Sequence, residues 1–253
     1  MTMGSVPDDP FEALVTLRGL QRTLLLSLAA RAASQGCAGF ADSATAELAA
    51  RFGSHLPPAG RLTRAAVVGT TLVIDAATEA WARAHPSGLV VTVGAGLCTR
   101  FRRLRHLPVE WLDVDGEGSL NVRRAALPGA PPSVVGGLDP ATWEHRVRGR
   151  PVLVIAEGVA MYLPRAEVDA AIRGYRAAGF AFAIETVGEV PSRVSRVRSR
   201  SLGSDGCAFQ WAGDVGETVV HSLPHARSLL GPLGPLLWAL GAGGWVRVSL
   251  DKG

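Results

Sequence analysis

The feature that most constrains the fold is a series of short, almost wholly apolar runs separated by helical stretches. Leu89-Val-Val-Thr-Val93 stops at Gly94. Val109-Glu-Trp-Leu-Asp-Val114, Pro151-Val-Leu-Val-Ile-Ala156 and Phe180-Ala-Phe-Ala-Ile184 follow, and Trp245-Val-Arg-Val-Ser-Leu250 comes last. Runs this short are strands. Apolar side chains at consecutive positions mean that both faces are covered, as in a parallel sheet between layers of helix. Residues 11–34 and 61–85 carry Leu and Ala at helical spacing ahead of the first strand. Residues 165–178 do so between the third and fourth strands, and 99–106 form a short helical stretch after the first. The pattern predicts a doubly wound, mostly parallel α/β domain spanning 1–253. It divides into a helical cap over 1–85, a cofactor-binding core over 86–190, and a lid with C-terminal strands over 191–253. The Pro/Gly-rich segment 127–140 and the Arg/Ser-rich segment 191–206 read as loops.

Composition narrows the partners. With 47% hydrophobic and 19% charged residues the chain is globular. Its formal charge is +4, and 25 of its 26 basic residues are Arg. That balance suits an anionic small molecule or an acidic carrier protein. It does not point to nucleic acid, because aromatic content is 6% and no aromatic RNA-binding strand is present. Three Cys (Cys37, Cys98, Cys207) make neither a disulfide framework nor a zinc site, so no metal and a reducing, cytoplasmic setting are expected. The N-terminus has no basic-then-apolar leader. Leu229–Gly244 is too short and too broken by Pro232 and Pro235 for a span of about 20 residues, so it reads as a buried helix and turn rather than a membrane anchor.

In a doubly wound sheet the ligand sits at the carboxyl ends of the strands. Those ends are Gly94–Thr99, Asp113–Glu117, Glu157–Tyr162 and Glu185–Val187. Gly94-Ala95-Gly96 allows a sharp turn and close backbone approach to a ligand. Asp115 follows Gly96 by 19 residues, where a carboxylate at the second strand tip accepts ribose hydroxyls. A dinucleotide loop would need a third glycine where this chain has Thr99. S-adenosylmethionine has no phosphate and does not, so it is the expected cofactor. At the third strand tip, Glu157 needs a partner. A cationic cofactor, the following helix and an arginine are the alternatives.

Three blocks, Val91-Thr-Val-Gly94-Ala-Gly96-Leu-Cys-Thr99-Arg100-Phe, Trp111-Leu-Asp-Val-Asp115 and Val154-Ile-Ala-Glu157-Gly158-Val-Ala-Met-Tyr162-Leu, resemble the leucine carboxyl methyltransferase family. The closer branch is that of bacterial polyketide-tailoring O-methyltransferases of the tetracenomycin type. The resemblance runs from about residue 60 to residue 187. It implies a class I, Rossmann-like methyltransferase fold with a seven-stranded sheet and an antiparallel last hairpin. It implies that Gly94 and Gly96, with Ala95 between them, line the methionine part, that Asp115 binds the ribose, and that Glu157 and the adjoining Gly158 contact the cofactor. Gly137-Leu138-Asp139 falls where the family holds the adenine. Two positions depart from the pattern: Cys98 stands where the family has Asp, and Thr70 where it has an Arg that clamps the cofactor carboxylate. Losing that Arg removes a strong charge-assisted contact. Arg100, with Arg64, is the expected replacement.

The acceptor is the least constrained part. A carboxylate is ionised at neutral pH and needs no base, whereas a phenol, with a pKa of about 10, gains from one. His106, His145, His221 and His225 are scattered and form no dyad with a carboxylate, so no catalytic residue is named and a carboxylate acceptor is favoured over a phenol. Tyr162, Arg196 and Trp211 are the substrate candidates; Arg193, Arg196 and Arg200 share one face of a helix and suit an anion-gripping lid. The expected function is O-methylation of a small molecule of polyketide-type secondary metabolism. One alternative is a methyltransferase-fold protein that has lost methyl transfer and uses its pocket for binding or a cyclisation. Another is a protein carboxyl methyltransferase, which the short N-terminal region disfavours.

Overall fold

In the computed structural model of the protein, the structure describes residues 23–188, 192, 193, 195, 208–213, 219–221, 229 and 244–250. The expected helical character of 11–22, the Arg-rich face of 196–200 and nearly all of the apolar stretch 229–244 lie outside these residues.

Strand β1 (Leu89–Val93) is central. It pairs in parallel with β2 (Glu110–Asp115) on one side and with β4 (Val152–Ala156) on the other. Strand β3 (Ser133–Val135) extends the β2 side and β5 (Ala181–Val187) the β4 side, both in parallel. Beyond β5, β7 (Gly244–Ser249) runs antiparallel, and β6 (Val219–His221) pairs with it antiparallel. The sheet order is therefore β3-β2-β1-β4-β5-β7-β6, with β7 alone reversed. This is the doubly wound, mostly parallel α/β architecture that the apolar runs predict.

The period-two alternation of strands sorts the runs onto two faces. Val91, Val93, Val154, Ala156, Phe182 and Ile184 pack on one face with Trp143, Tyr175 and helix α6 (Arg165–Ala177). Val90, Leu153, Ile155, Ala183 and Val246 pack on the other with Val73, Ile74 and Trp81 of helix α3 (Arg61–Ala84). Two helices precede α3: α1 (Leu24–Ala32), which packs on it, and α2 (Ser43–Phe52). The Asp42 carboxylate caps α2 by accepting from the Thr45 N–H at 2.9 Å. Between the strands lie α4 (Arg100–Arg103) and α5 (Glu117–Ala126). Among the described residues no helix is long and apolar enough to cross a membrane.

The Pro/Gly-rich segment 127–140 is loop apart from the three residues of β3 and Pro140, which opens a short 3-10 turn. The chain leaves β1 towards β2 and β3, then returns to build β4 and β5 on the other side. The strand order thus reverses at the carboxyl ends of β1 and β4, which opens a crevice there.

Candidate active site

The crevice is a cavity lined by Gly94 and Gly96 after β1, Asp115 at the tip of β2, Glu157 after β4, Glu185 on β5, and Arg31 of α1. Gly94 turns the chain at φ +68°, and a Cβ built there would lie 2.1 Å from Val159 Cγ2. Both the backbone region and the space demand glycine. Gly94→Ala should therefore carry a backbone penalty of about 1–3 kcal/mol before the displacement of Val159 is counted. The expected result is a lower thermal midpoint together with loss of cofactor affinity; a variant melting like the parent would contradict this account of the loop.

Asp115 ties the glycine loop to the second strand. Its Oδ2 accepts the Gly96 N–H at 2.8 Å and its Oδ1 the Gly116 N–H at 2.7 Å. Burial pushes its carboxyl above the ordinary value in spite of these bonds. The loop is also held from beneath by Arg123, a residue that no sequence pattern singled out. Its guanidinium pairs with Asp113 at 2.6 Å and donates to the carbonyls of Gly96 (3.0 Å) and Cys98 (2.7 Å).

Opposite the loop, charges alternate along a buried chain. Glu157 accepts from Arg100 Nη2 at 2.5 Å and from Thr71 Oγ1 at 2.7 Å, and pairs with Arg31 Nη1 at 3.4 Å. Arg100 Nε donates to Asp75 at 2.6 Å, Arg103 Nε donates to the other Asp75 oxygen at 2.6 Å, and Arg103 also pairs with Asp42. Burial pushes the carboxyls of Glu157 and Asp75 up. Their guanidinium partners, Arg100 first in each case, more than offset this and hold both below the ordinary value. Glu185 differs. It accepts from Thr70 Oγ1 at 2.9 Å and from the Gly158 N–H at 2.7 Å, and burial, reinforced by the charge of Glu157, pushes its carboxyl up to about 7.

The structure brings seven of the nine sequence-predicted cofactor residues to this cavity: Gly94, Ala95, Gly96, Arg100, Asp115, Glu157 and Gly158. Leu138 and Asp139 are not among its lining residues. Leu138 is a core residue whose carbonyl accepts the Tyr175 hydroxyl, and Asp139 caps a 3-10 turn by accepting from the Ala141 N–H at 3.0 Å. Two substrate candidates, Trp211 and Tyr162, are also absent from the lining of this cavity. Trp211 packs against the core, with its indole N–H donating to the Leu163 carbonyl at 2.9 Å and the Arg165 guanidinium 5.2 Å from its ring centroid. Tyr162 meets the edge of Phe209 at 5.1 Å. Arg196 lies outside the described residues.

The two arginines expected to replace the missing one are both engaged within the protein. Arg100 is 1% exposed and bridges two carboxylates, and α4 is only four residues long. Arg64 is turned towards Ser34, to which its Nε donates at 3.1 Å. Among the described residues, the lining cation with donor capacity left is Arg31, whose buried Nε has no hydrogen-bond partner there.

No protein-family model matches the sequence, and no curated protein matches it. Solved structures do. The plantazolicin methyltransferase BamL, in complex with a triazolic desmethylPZN analog and SAH, matches with a TM-score of 0.46 and 10% identity, over 90% of this chain and 98% of that one. The small RNA methyltransferase HEN1 gives 0.43 and 10%, over 72% of this chain. An O-methyltransferase family protein from Burkholderia thailandensis gives 0.41 and 18%, over 64% of this chain. The chain spans 25% of the length of HEN1 and 55% of the Burkholderia protein.

Proposed function

We propose that the protein is an S-adenosylmethionine-dependent O-methyltransferase acting on a small molecule. The observation that carries this is the bond between the Gly94–Gly96 loop and Asp115, which sets a carboxylate suited to ribose hydroxyls beside the glycine turn at the strand crossover. A dinucleotide is disfavoured on two grounds. Thr99 is fully buried and bonded to Asp42 at 2.6 Å, and the helix after the loop is too short to receive a pyrophosphate.

The residues fit the cofactor. Asp115 would hold the ribose, and the backbone at Gly94 and Gly96 the methionine part. Glu157 lines the side where positive charge is favoured. Arg31, a lining cation whose Nε has no partner among the described residues, suits the cofactor's carboxylate, the group for which the family pattern uses an Arg at the position of Thr70. A buried donor without a partner is costly unless a ligand supplies the acceptor. The cofactor itself supplies an electrophilic methyl group on a sulfonium.

The resemblance to polyketide-tailoring enzymes makes a polyketide-type secondary metabolite the proposed substrate class, with an acidic carrier protein as its proposed delivery partner in the cytoplasm. Calorimetry with S-adenosylmethionine should show one site per chain. Mass spectrometry of incubated candidate acceptors should show the gain of one methylene. Absence of binding at millimolar cofactor would remove this reading.

A further inference from the structure

Glu185 is the acid of the cavity whose purpose the cofactor does not account for. Asp42, Asp75 and Glu157 each pair with arginine, whereas Glu185 forms no ion pair among the described residues. Its carboxyl is nonetheless fixed in place. Thr70 donates to Oε1 from helix α3, and the Gly158 N–H donates to Oε2 from the loop after β4. Each oxygen keeps acceptor capacity after those bonds, and the side chain faces the same cavity as Asp115 and the glycine loop.

The charged groups acting on it come from the neighbouring elements. Glu157, on the loop after β4, opposes a second negative charge, and Arg31 of α1 favours one. Arg100 is engaged by Glu157 and Asp75, and β7 places Val246 opposite Glu185 in the sheet register. The result is a carboxyl that changes charge near neutrality, as a proton acceptor working at cellular pH requires. A carboxylate substrate entering here would face Glu157, Glu185 and Asp115 with Arg31 as its one cation not already bridging two carboxylates, among the described lining residues. A neutral hydroxyl would meet an acceptor instead.

We propose that Glu185 is the proton acceptor of the methyl transfer and that the substrate offers a neutral phenolic or enolic hydroxyl rather than a carboxylate; this rests on the methyltransferase reading. The acceptor oxygen bonds to the methyl carbon as the carbon–sulfur bond breaks, and sulfur keeps the electron pair. The hydroxyl proton passes to a Glu185 Oε and then to water. The absence of a histidine dyad from the sequence is therefore not the absence of a base.

The test uses the full chain with S-adenosylmethionine, a panel of phenols and matched aryl carboxylic acids, and the variants Glu185→Gln and Glu185→Asp. Phenol methylation by the parent should rise with pH through neutrality. Glu185→Gln should lose roughly 100-fold or more in kcat and flatten the pH profile, with unchanged affinity for S-adenosylhomocysteine, and Glu185→Asp should recover part of the rate. A readout independent of turnover is the stability of the unliganded protein. The folded state holds the Glu185 proton to about 7, whereas the ordinary value is 4.5, so the parent should lose stability relative to Glu185→Gln as pH rises through that window. Equal rates and profiles for parent and Glu185→Gln, or a parent that methylates only carboxylic acids or none of the phenols, would overturn the proposal while leaving cofactor binding intact. A parent that binds neither S-adenosylmethionine nor S-adenosylhomocysteine would remove the methyltransferase reading itself, a result distinct from a loss confined to Glu185→Gln.

Discussion

Arg100→Met should destabilise the fold by about 3–5 kcal/mol, because removing one partner from a buried ion pair leaves uncompensated charge in the interior. Arg100 serves two carboxylates, Asp75 through Nε and Glu157 through Nη2, so methionine would leave Asp75 to Arg103 alone and Glu157 to the longer Arg31 pair and Thr71. The loss should depend on pH in a defined direction. Asp75 and Glu157 are held below their ordinary values of 3.8 and 4.5, so the stability they contribute is fully present above those values and falls away as pH drops below them. The gap between parent and variant should therefore be widest at neutral pH and narrow below about pH 4. Urea unfolding at both pH values measures it. A variant of parental stability with only a raised KM for S-adenosylmethionine would restore the role that the sequence suggested for Arg100, that of a cofactor clamp.

Asp115→Ala should weaken cofactor binding by about 1.5–3 kcal/mol, roughly a 10- to 150-fold loss of affinity, through removal of hydrogen bonds to a charged acceptor. Part of the loss comes from the loop, since the N–H groups of Gly96 and Gly116 would lose the carboxylate that orients them. Asp115→Asn separates the two contributions. Its amide oxygen can still accept from one of these donors, and it lacks the charge. Calorimetry with S-adenosylhomocysteine reads both variants, and parental affinity in Asp115→Ala would place the ribose elsewhere.

The strands buried on both faces were legible because burial writes itself as an unbroken apolar run. β1, β2, β4, β5 and β7 fall within a few residues of the runs that predict them. β3 was not legible: it is a three-residue edge strand between prolines and glycines, with Val135 exposed. α5 is short and polar on average, and its buried face is Leu120 and Val122 with Ser119, Arg123 and Ala126, so few large apolar residues mark it. In the site, Gly94, Gly96, Asp115 and Glu157 could be named because each follows a strand at a telling distance. Arg31 could not be placed by that logic, since it meets Glu157 across 126 residues of sequence. A signal was present all the same: Arg31 falls at helical spacing from Leu24 and Leu28, on the apolar stripe, where a solvated arginine would not be set. Glu185 ended a predicted strand, but the donors that fix it come from α3 and the β4 loop, which only the fold brings together.

The wall that carries Arg31 belongs to α1, which forms no part of the sheet and packs on α2 and α3. Thr23, Leu24 and Ser27 join it in lining the cavity. The sheet can thus close before the cavity is complete, and the cavity is complete only while α1 is docked. Any affinity measured at this site then contains the docking equilibrium of α1 as a factor, reduced by whatever fraction of molecules have the helix detached. Reciprocity follows from thermodynamics: a ligand that engages Arg31 holds α1 down by the same free energy that docked α1 lends to the ligand. Substitutions on the far side of α1, remote from every ligand atom, would tune affinity without touching the pocket.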